Sequence, residues 1–174
     1  IFFRKMIPNV TFAMKEHLRS SIIIGELDMV DENSKNIIIN SKHRPNAITN
    51  LMYQRVQDLR RQGVITVEDM FILDKELKGF TDIIGACERI KNTPIPYSYS
   101  MFIKKFLFIY SITLPVSFIW QMHYWSVPVV MLAFYFLLSV ELIAEEIEDP
   151  FGKDVNDLPL NELCVKIKQN IAEI

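Results

Sequence analysis

The chain has 174 residues, half of them hydrophobic, and a formal net charge of only −2. No basic excess points to a nucleic-acid partner. The two cysteines, Cys87 and Cys164, lie far apart on predicted helices, and neither belongs to a CxxC or a ligand-spaced cluster, so two reduced, packed thiols are the expectation.

The chain starts with Ile rather than Met, and Ile-Phe-Phe reads like the middle of a helix, so a fragment is expected. There is no signal-peptide pattern. Residues 1–21 predict a helix with a break or kink near Pro8. Residues 25–46, with Gly25, Asp28, Asp31, Asn33, Asn36, Asn40 and Pro45, read as loop-rich. The apolar patch Ile37-Ile38-Ile39 within them suits a short helix or strand. Asn46 is expected to cap a helix over 47–61, whose apolar stripe is Ile48, Leu51, Met52, Val56 and Leu59 and which Gly63 ends.

The next helix is the best signalled. Thr66 is its N-cap, and Asp69 completes an approximate capping box. Glu68 and Asp69 place negative charge at the positive end of the helix dipole. Leu73, Leu77, Phe80, Ile84 and Cys87 form a heptad-like seam, wanting another helix as core or subunit interface. The pattern lasts to about Lys91. Thr93-Pro94-Ile95-Pro96 then stops it and predicts a stiff, extended connector.

Residues 106–140 hold no Lys, Arg, Asp or Glu. A membrane helix needs about 20 mostly apolar residues, so this stretch is too long for one perpendicular span. A polar interruption at 121–125 supplies a turn. The reading is a helical hairpin, with spans near 101–120 and 126–143. Trp120, Tyr124 and Trp125 would sit at the membrane interface. The stems of Lys104 and Lys105 would lie along apolar surface and reach back to headgroups. Arg89, Lys91, Lys104 and Lys105 stand before the hairpin and no Lys or Arg lies in its turn, which places both ends in the cytoplasm. A soluble core could host two such helices, but seldom so long an uncharged run. After the hairpin the helix continues into acid, through Glu145, Glu146, Glu148 and Asp149. That run reads as a salt-bridged face rather than a cation site. Asp149-Pro150-Phe151-Gly152 is a turn and 154–159 a polar loop. An amphipathic helix over 161–174 closes the chain, with Leu163, Val165, Ile167 and Ile171 mostly inward.

No catalytic constellation appears. His17, His43 and His123 fall in three separate segments, and there is no HExxH, GxSxG or Gly-rich phosphate loop among only five glycines. Neither catalytic, cofactor-binding nor metal-binding residues are expected, and the chain does not read as an enzyme.

Two motifs carry a resemblance. Gly85-Ala86-Cys87-Glu88-Arg89-Ile90 followed by Thr93-Pro94-Ile95-Pro96-Tyr97 resembles the segment leading into the third membrane helix of the bestrophin family. Ala144-Glu145-Glu146-Ile147-Glu148-Asp149-Pro150-Phe151-Gly152, followed by Asn156-Asp157-Leu158-Pro159-Leu160, resembles that family's segment after the fourth. The match is nearest to the bacterial members. The resemblance implies an all-α membrane protein, a transmembrane hairpin joined to a cytoplasmic helical bundle. It further implies a subunit of a homopentameric channel passing chloride or monovalent cations, in contact with the lipid bilayer of a bacterial inner membrane. In that frame 1–96 belong to the cytoplasmic vestibule, 97–143 are the membrane hairpin, and 144–174 pack back on the vestibule. The runner-up reading is a membrane-anchored scaffold or binding protein without transport activity.

The family's first two membrane helices, with the narrow neck of the pore, have no counterpart in this sequence. Where animal members carry a continuous acidic calcium-binding run, this chain has Lys153-Asp154-Val155-Asn156-Asp157. Only two of those are acidic and Lys153 repels a cation, which argues against calcium regulation. One pore position is implied. Counting from Gly63 places Glu68 at the cytoplasmic aperture, where five copies would form a carboxylate ring favouring cations.

Overall fold

A computed structural model of the chain describes residues 1–21, 24–28 and 31–174. The regular structure among the described residues is all helical, with no strand. They divide into two compact units, Ile1–Asn92 with Leu158–Ile174, and Thr93–Asp157.

The first unit is a helical bundle. Its first helix, α1 (Phe2–Leu18), runs through Pro8, so there is no break there. Proline lacks the N–H that would bond one turn back. Here its ring is buried in the bundle, and the Thr11 hydroxyl donates to the Pro8 carbonyl at 2.7 Å. Of the segment read as loop, positions 29 and 30 lie outside the described residues. Residues 32–40 of it form α2 (Glu32–Asn40), so the isoleucine patch is helical, with Ile38 fully buried. The next helix, α3 (Arg44–Arg61), begins earlier than the sequence reading placed it. His43 is the N-cap, and Pro45 sits in the first turn, where a missing N–H costs nothing. At the other end Gly63 takes φ 73°. Its N–H bonds Arg60 O at 2.9 Å and the Val64 N–H bonds Leu59 O at 3.0 Å, closing the helix in a Schellman turn.

The long helix α4 (Val67–Asn92) starts with the reciprocal cap read from the sequence. Thr66 N–H donates to Asp69 Oδ2 at 3.0 Å, and Asp69 N–H to Thr66 Oγ1 at 3.2 Å. The bond from the Thr66 N–H, with a second from the Thr66 hydroxyl at 2.8 Å, holds the exposed Asp69 carboxyl below its ordinary value. Leu77 and Ile84 of the seam enter the core with Met6, Val10 and Ala13 of α1, Ile38 of α2, and Ile48, Met52 and Val56 of α3. Full burial of one such side chain contributes about 1.5–3 kcal/mol.

The second unit is an antiparallel hairpin. Residues 93–96 carry no helix, and α5 (Tyr97–Met122) follows, with Pro96 at its N-cap. A short 3-10 turn (His123–Trp125) leads to α6 (Ser126–Glu148). The Ser126 hydroxyl donates back to His123 O at 2.5 Å, tightening the turn. Pro128 falls in the first turn of α6 and Pro115 inside α5, which runs on through it. Serine and threonine hydroxyls along both helices donate to carbonyls one turn back, for example Thr113 to Ile109 O at 2.8 Å. That leaves few polar groups for an apolar solvent to oppose. The helix α6 runs on past the expected span to Glu148, as read from the sequence, and stops at Asp149-Pro150.

The bundle is completed by α7 (Leu160–Glu173), antiparallel to α1. Arg4 donates to Ala172 O, and Arg19 to Asn161 Oδ1 at 3.3 Å. Its inward residues are Leu160 and Cys164. Leu163, Val165 and Ile167 are exposed, contrary to the sequence reading, because residues two apart on a helix do not share a face.

Candidate functional site

Two features of this fold bear on function, one in each unit. In the hairpin, α5 and α6 are long and apolar enough to cross a membrane. Their large side chains point outward: Phe102, Phe108, Val116, Met131, Tyr135 and Val140 are all exposed. Trp120, Tyr124 and Trp125 cluster at the turn and are also exposed, which suits an aromatic belt at the lipid–water boundary. At the opposite end Lys104 pairs with acids rather than standing alone. Its Nζ lies 2.5 Å from Glu145 Oε1 and 3.7 Å from Glu141 Oε1, although Glu141 itself is buried.

Glu146 near the end of α6, and Asp149 and Asp157 in the loop after it, also accept hydrogen bonds. Glu146 accepts from Asn156 Nδ2 at 2.7 Å, and Asp149 from the Phe151 N–H at 3.2 Å. Asp157 Oδ2 accepts from the Asp154 N–H at 2.6 Å. Glu145, Glu146 and Asp149 of the acidic run are thus engaged in ion pairs or hydrogen bonds.

In the bundle, Glu68 sits in the first turn of α4, exposed beside the cap. Three other residues come together that the sequence left apart. His17 is in the last turn of α1, His43 caps α3, and Glu88 lies four residues from the end of α4. The Nε2 atoms of His17 and His43 lie 2.6 and 2.7 Å from the same oxygen, Glu88 Oε1. The two imidazoles are 4.4 Å apart between centroids. An ionised carboxylate only accepts, so both Nε2 atoms donate. His43 Nδ1 fits that tautomer, since it accepts the Asn46 N–H at 3.3 Å. Burial pushes the Glu88 carboxyl up, but hydrogen bonds and charge from the two histidines outweigh it and hold it below its ordinary value. Each of the three is about one-third exposed, and an open cavity of ≈ 390 Å³ lies beside His17. Histidines scattered along a sequence give no sign of meeting; only the packing of α1, α3 and α4 reveals it.

The model of bacterial and fungal bestrophin proteins matches residues 3–173. The chain belongs to the bestrophin family.

Relatives of this bestrophin chain include a voltage-dependent anion channel-forming protein of Salmonella typhi, 29% identical over 83% of this chain and 48% of that protein. Another, from Nostoc sp., is 32% identical over 93% of this chain and 53% of its own length. The chain thus spans about half the length of the curated relatives it matches. A crystal structure of a bacterial bestrophin homologue from Klebsiella pneumoniae superposes with a TM-score of 0.93 at 28% identity. The superposition covers 98% of this chain and 64% of that one. The all-α, membrane-hairpin architecture expected from the two sequence motifs is therefore the family's.

Proposed function

We propose that this bestrophin chain is part of a subunit of a homopentameric channel giving passive ion conductance across a bacterial inner membrane, with both ends of the hairpin cytoplasmic. The observation that carries it is the outward apolar surface of α5 and α6, in a family whose relatives are named as anion channel-forming proteins. Self-association is supported by a second surface. On α4, Ile72, Ile83 and Ile90 lie along one exposed face, with Phe71 beside them. Such an apolar stripe on a bundle surface suits a neighbouring subunit.

In this reading five Glu68 side chains ring the cytoplasmic aperture and bias it toward monovalent cations. The names of the relatives favour an anion instead, and the two are separated by reversal potentials. Full-length protein reconstituted in planar bilayers under a salt gradient should lose cation preference on Glu68→Gln. An unchanged reversal potential removes Glu68 from the pathway. Native mass measurement in detergent tests assembly: a pentamer supports the channel, whereas a monomer favours a membrane-anchored scaffold. No cofactor and no calcium dependence are part of this proposal, and conductance unaffected by calcium chelation is its corollary.

A further inference from the structure

We infer that His17, His43 and Glu88 form a zinc-type divalent metal site that clips α1, α3 and α4 together. This inference is independent of ion conduction and stands whether or not Glu68 lines a pore.

The donor set is the first argument. Two imidazoles and one carboxylate are the ligands that zinc takes where one coordination position is left to water. Softer or harder ions fit less well: no thiolate is present for copper(I), and one carboxylate is too little oxygen for calcium or magnesium. Among the described residues this is the one group of three such side chains whose ligand atoms meet, all within 4.8 Å of one another.

Geometry is the second. Zinc bonds nitrogen and oxygen at about 2.0–2.2 Å, so tetrahedral neighbours stand about 3.3–3.6 Å apart. The two Nε2 atoms sit 2.6 and 2.7 Å from Glu88 Oε1, at hydrogen-bond distance. Side-chain rotation of less than about 1 Å opens the space. The ion then takes the Nε2 lone pair of each neutral imidazole, whose single proton shifts by exchange with solvent from Nε2 to Nδ1, with no net proton release. His43 must carry its proton on Nδ1 in that state and so gives up the Asn46 N–H. That contact is long, at 3.3 Å, and the N–H is at an exposed helix start where water can take it.

Access and second-neighbour charge complete the case. The cavity of ≈ 390 Å³ that His17 lines gives a route in and room for a bound water. Lys42 and Arg44 line it too and oppose a cation, while Glu16 on the same wall offsets them. The balance predicts affinity below that of a buried structural zinc site, and an ion that exchanges.

The test uses the full-length protein in detergent, stripped with chelator and titrated with zinc alone by calorimetry. Cobalt(II) serves as a second probe, its visible absorption reporting imidazole ligation. Zinc binding at one ion per chain is expected, together with a rise in melting temperature. Glu88→Gln keeps a carbonyl acceptor for both histidines and so keeps the fold, but should weaken zinc binding at least tenfold. His17→Gln, on a partly exposed side chain, should do the same and abolish the cobalt spectrum. Glu68→Gln should leave both unchanged. Absence of zinc binding in the unaltered protein overturns the inference, as does binding that neither His17→Gln nor Glu88→Gln diminishes.

Discussion

Asn9 and Asp28 hold each other by two hydrogen bonds. Asn9 Nδ2 donates to Asp28 O and the Asp28 N–H donates to Asn9 Oδ1, both at 2.9 Å. Asn9 is 1% exposed, so its amide sits where water cannot compensate a lost bond. Asp28 in turn pairs with Lys168 of α7 at 2.6 Å. One buried amide thus fixes the strand of chain from which α7 is tethered. Asn9→Asp turns the donating amide into an oxygen facing the Asp28 carbonyl. It is expected to cost about 1–3 kcal/mol, read as a lower melting temperature of the detergent-solubilised protein. The exposed Asn50→Asp serves as control and should change little.

Lys104 and Glu141 make a second testable pair. Glu141 is buried and Lys104 is its cation, shared with Glu145. Removing the lysine strands a carboxylate beside apolar helices, which is worse than never having had the pair. Lys104→Met is therefore expected to destabilise the hairpin, and Glu141→Gln in the same chain to restore most of the loss. Additive effects in a thermal melt of the double variant would show that the two do not interact.

The Glu88 cluster makes stability depend on pH with a definite sign. Its folded-state carboxyl lies below the ordinary value of 4.5. A depressed carboxyl adds stability above the unfolded value, and the contribution is lost as pH falls through the folded one. In chelator, acid melts of the unaltered protein should therefore steepen below pH 4.5, and Glu88→Gln should flatten that part of the profile. Equal slopes for the two proteins would mean that His17 and His43 do not hold the charged carboxylate.

The features legible in the sequence are those in which cause and effect are close along the chain. The Thr66–Asp69 cap spans three residues, and the Gly63 stop acts on its own turn. The hairpin was legible for another reason: lipid demands uniform apolarity, so composition alone marks it. What was hidden depends on packing. His43 and Glu88 are 45 positions apart, and nothing near either hints at the other. Pro8 and Pro45 read as breakers, but one is buried within α1 and the other falls in a first turn. The face of α7 was misjudged because Leu163 and Val165 are apolar yet lie off the stripe that Leu160 and Cys164 turn toward the bundle.

The turn after α6 offers a last prediction, from Gly152. A Cβ built there would stand 2.5 Å from Asp157 Oδ2. Only Gly63 among the glycines has positive φ, so the demand at 152 is for space and not for an unusual backbone. A free carboxylate could swing aside at little cost. This one is held, because Oδ2 accepts the Asp154 N–H at 2.6 Å and the Asp157 N–H bonds back to Asp154 O at 3.1 Å. Gly152→Ala must break the first of these bonds, and the expected loss is about 0.5–1.5 kcal/mol. Asp157→Ala alone should cost a similar amount by removing the acceptor. Once Asp157 is alanine the obstruction is gone, so adding Gly152→Ala should cost almost nothing more. Thermal melts of the four proteins give the coupling directly. If Gly152→Ala is equally harmful with and without Asp157, the close approach of that carboxylate is not what keeps position 152 a glycine.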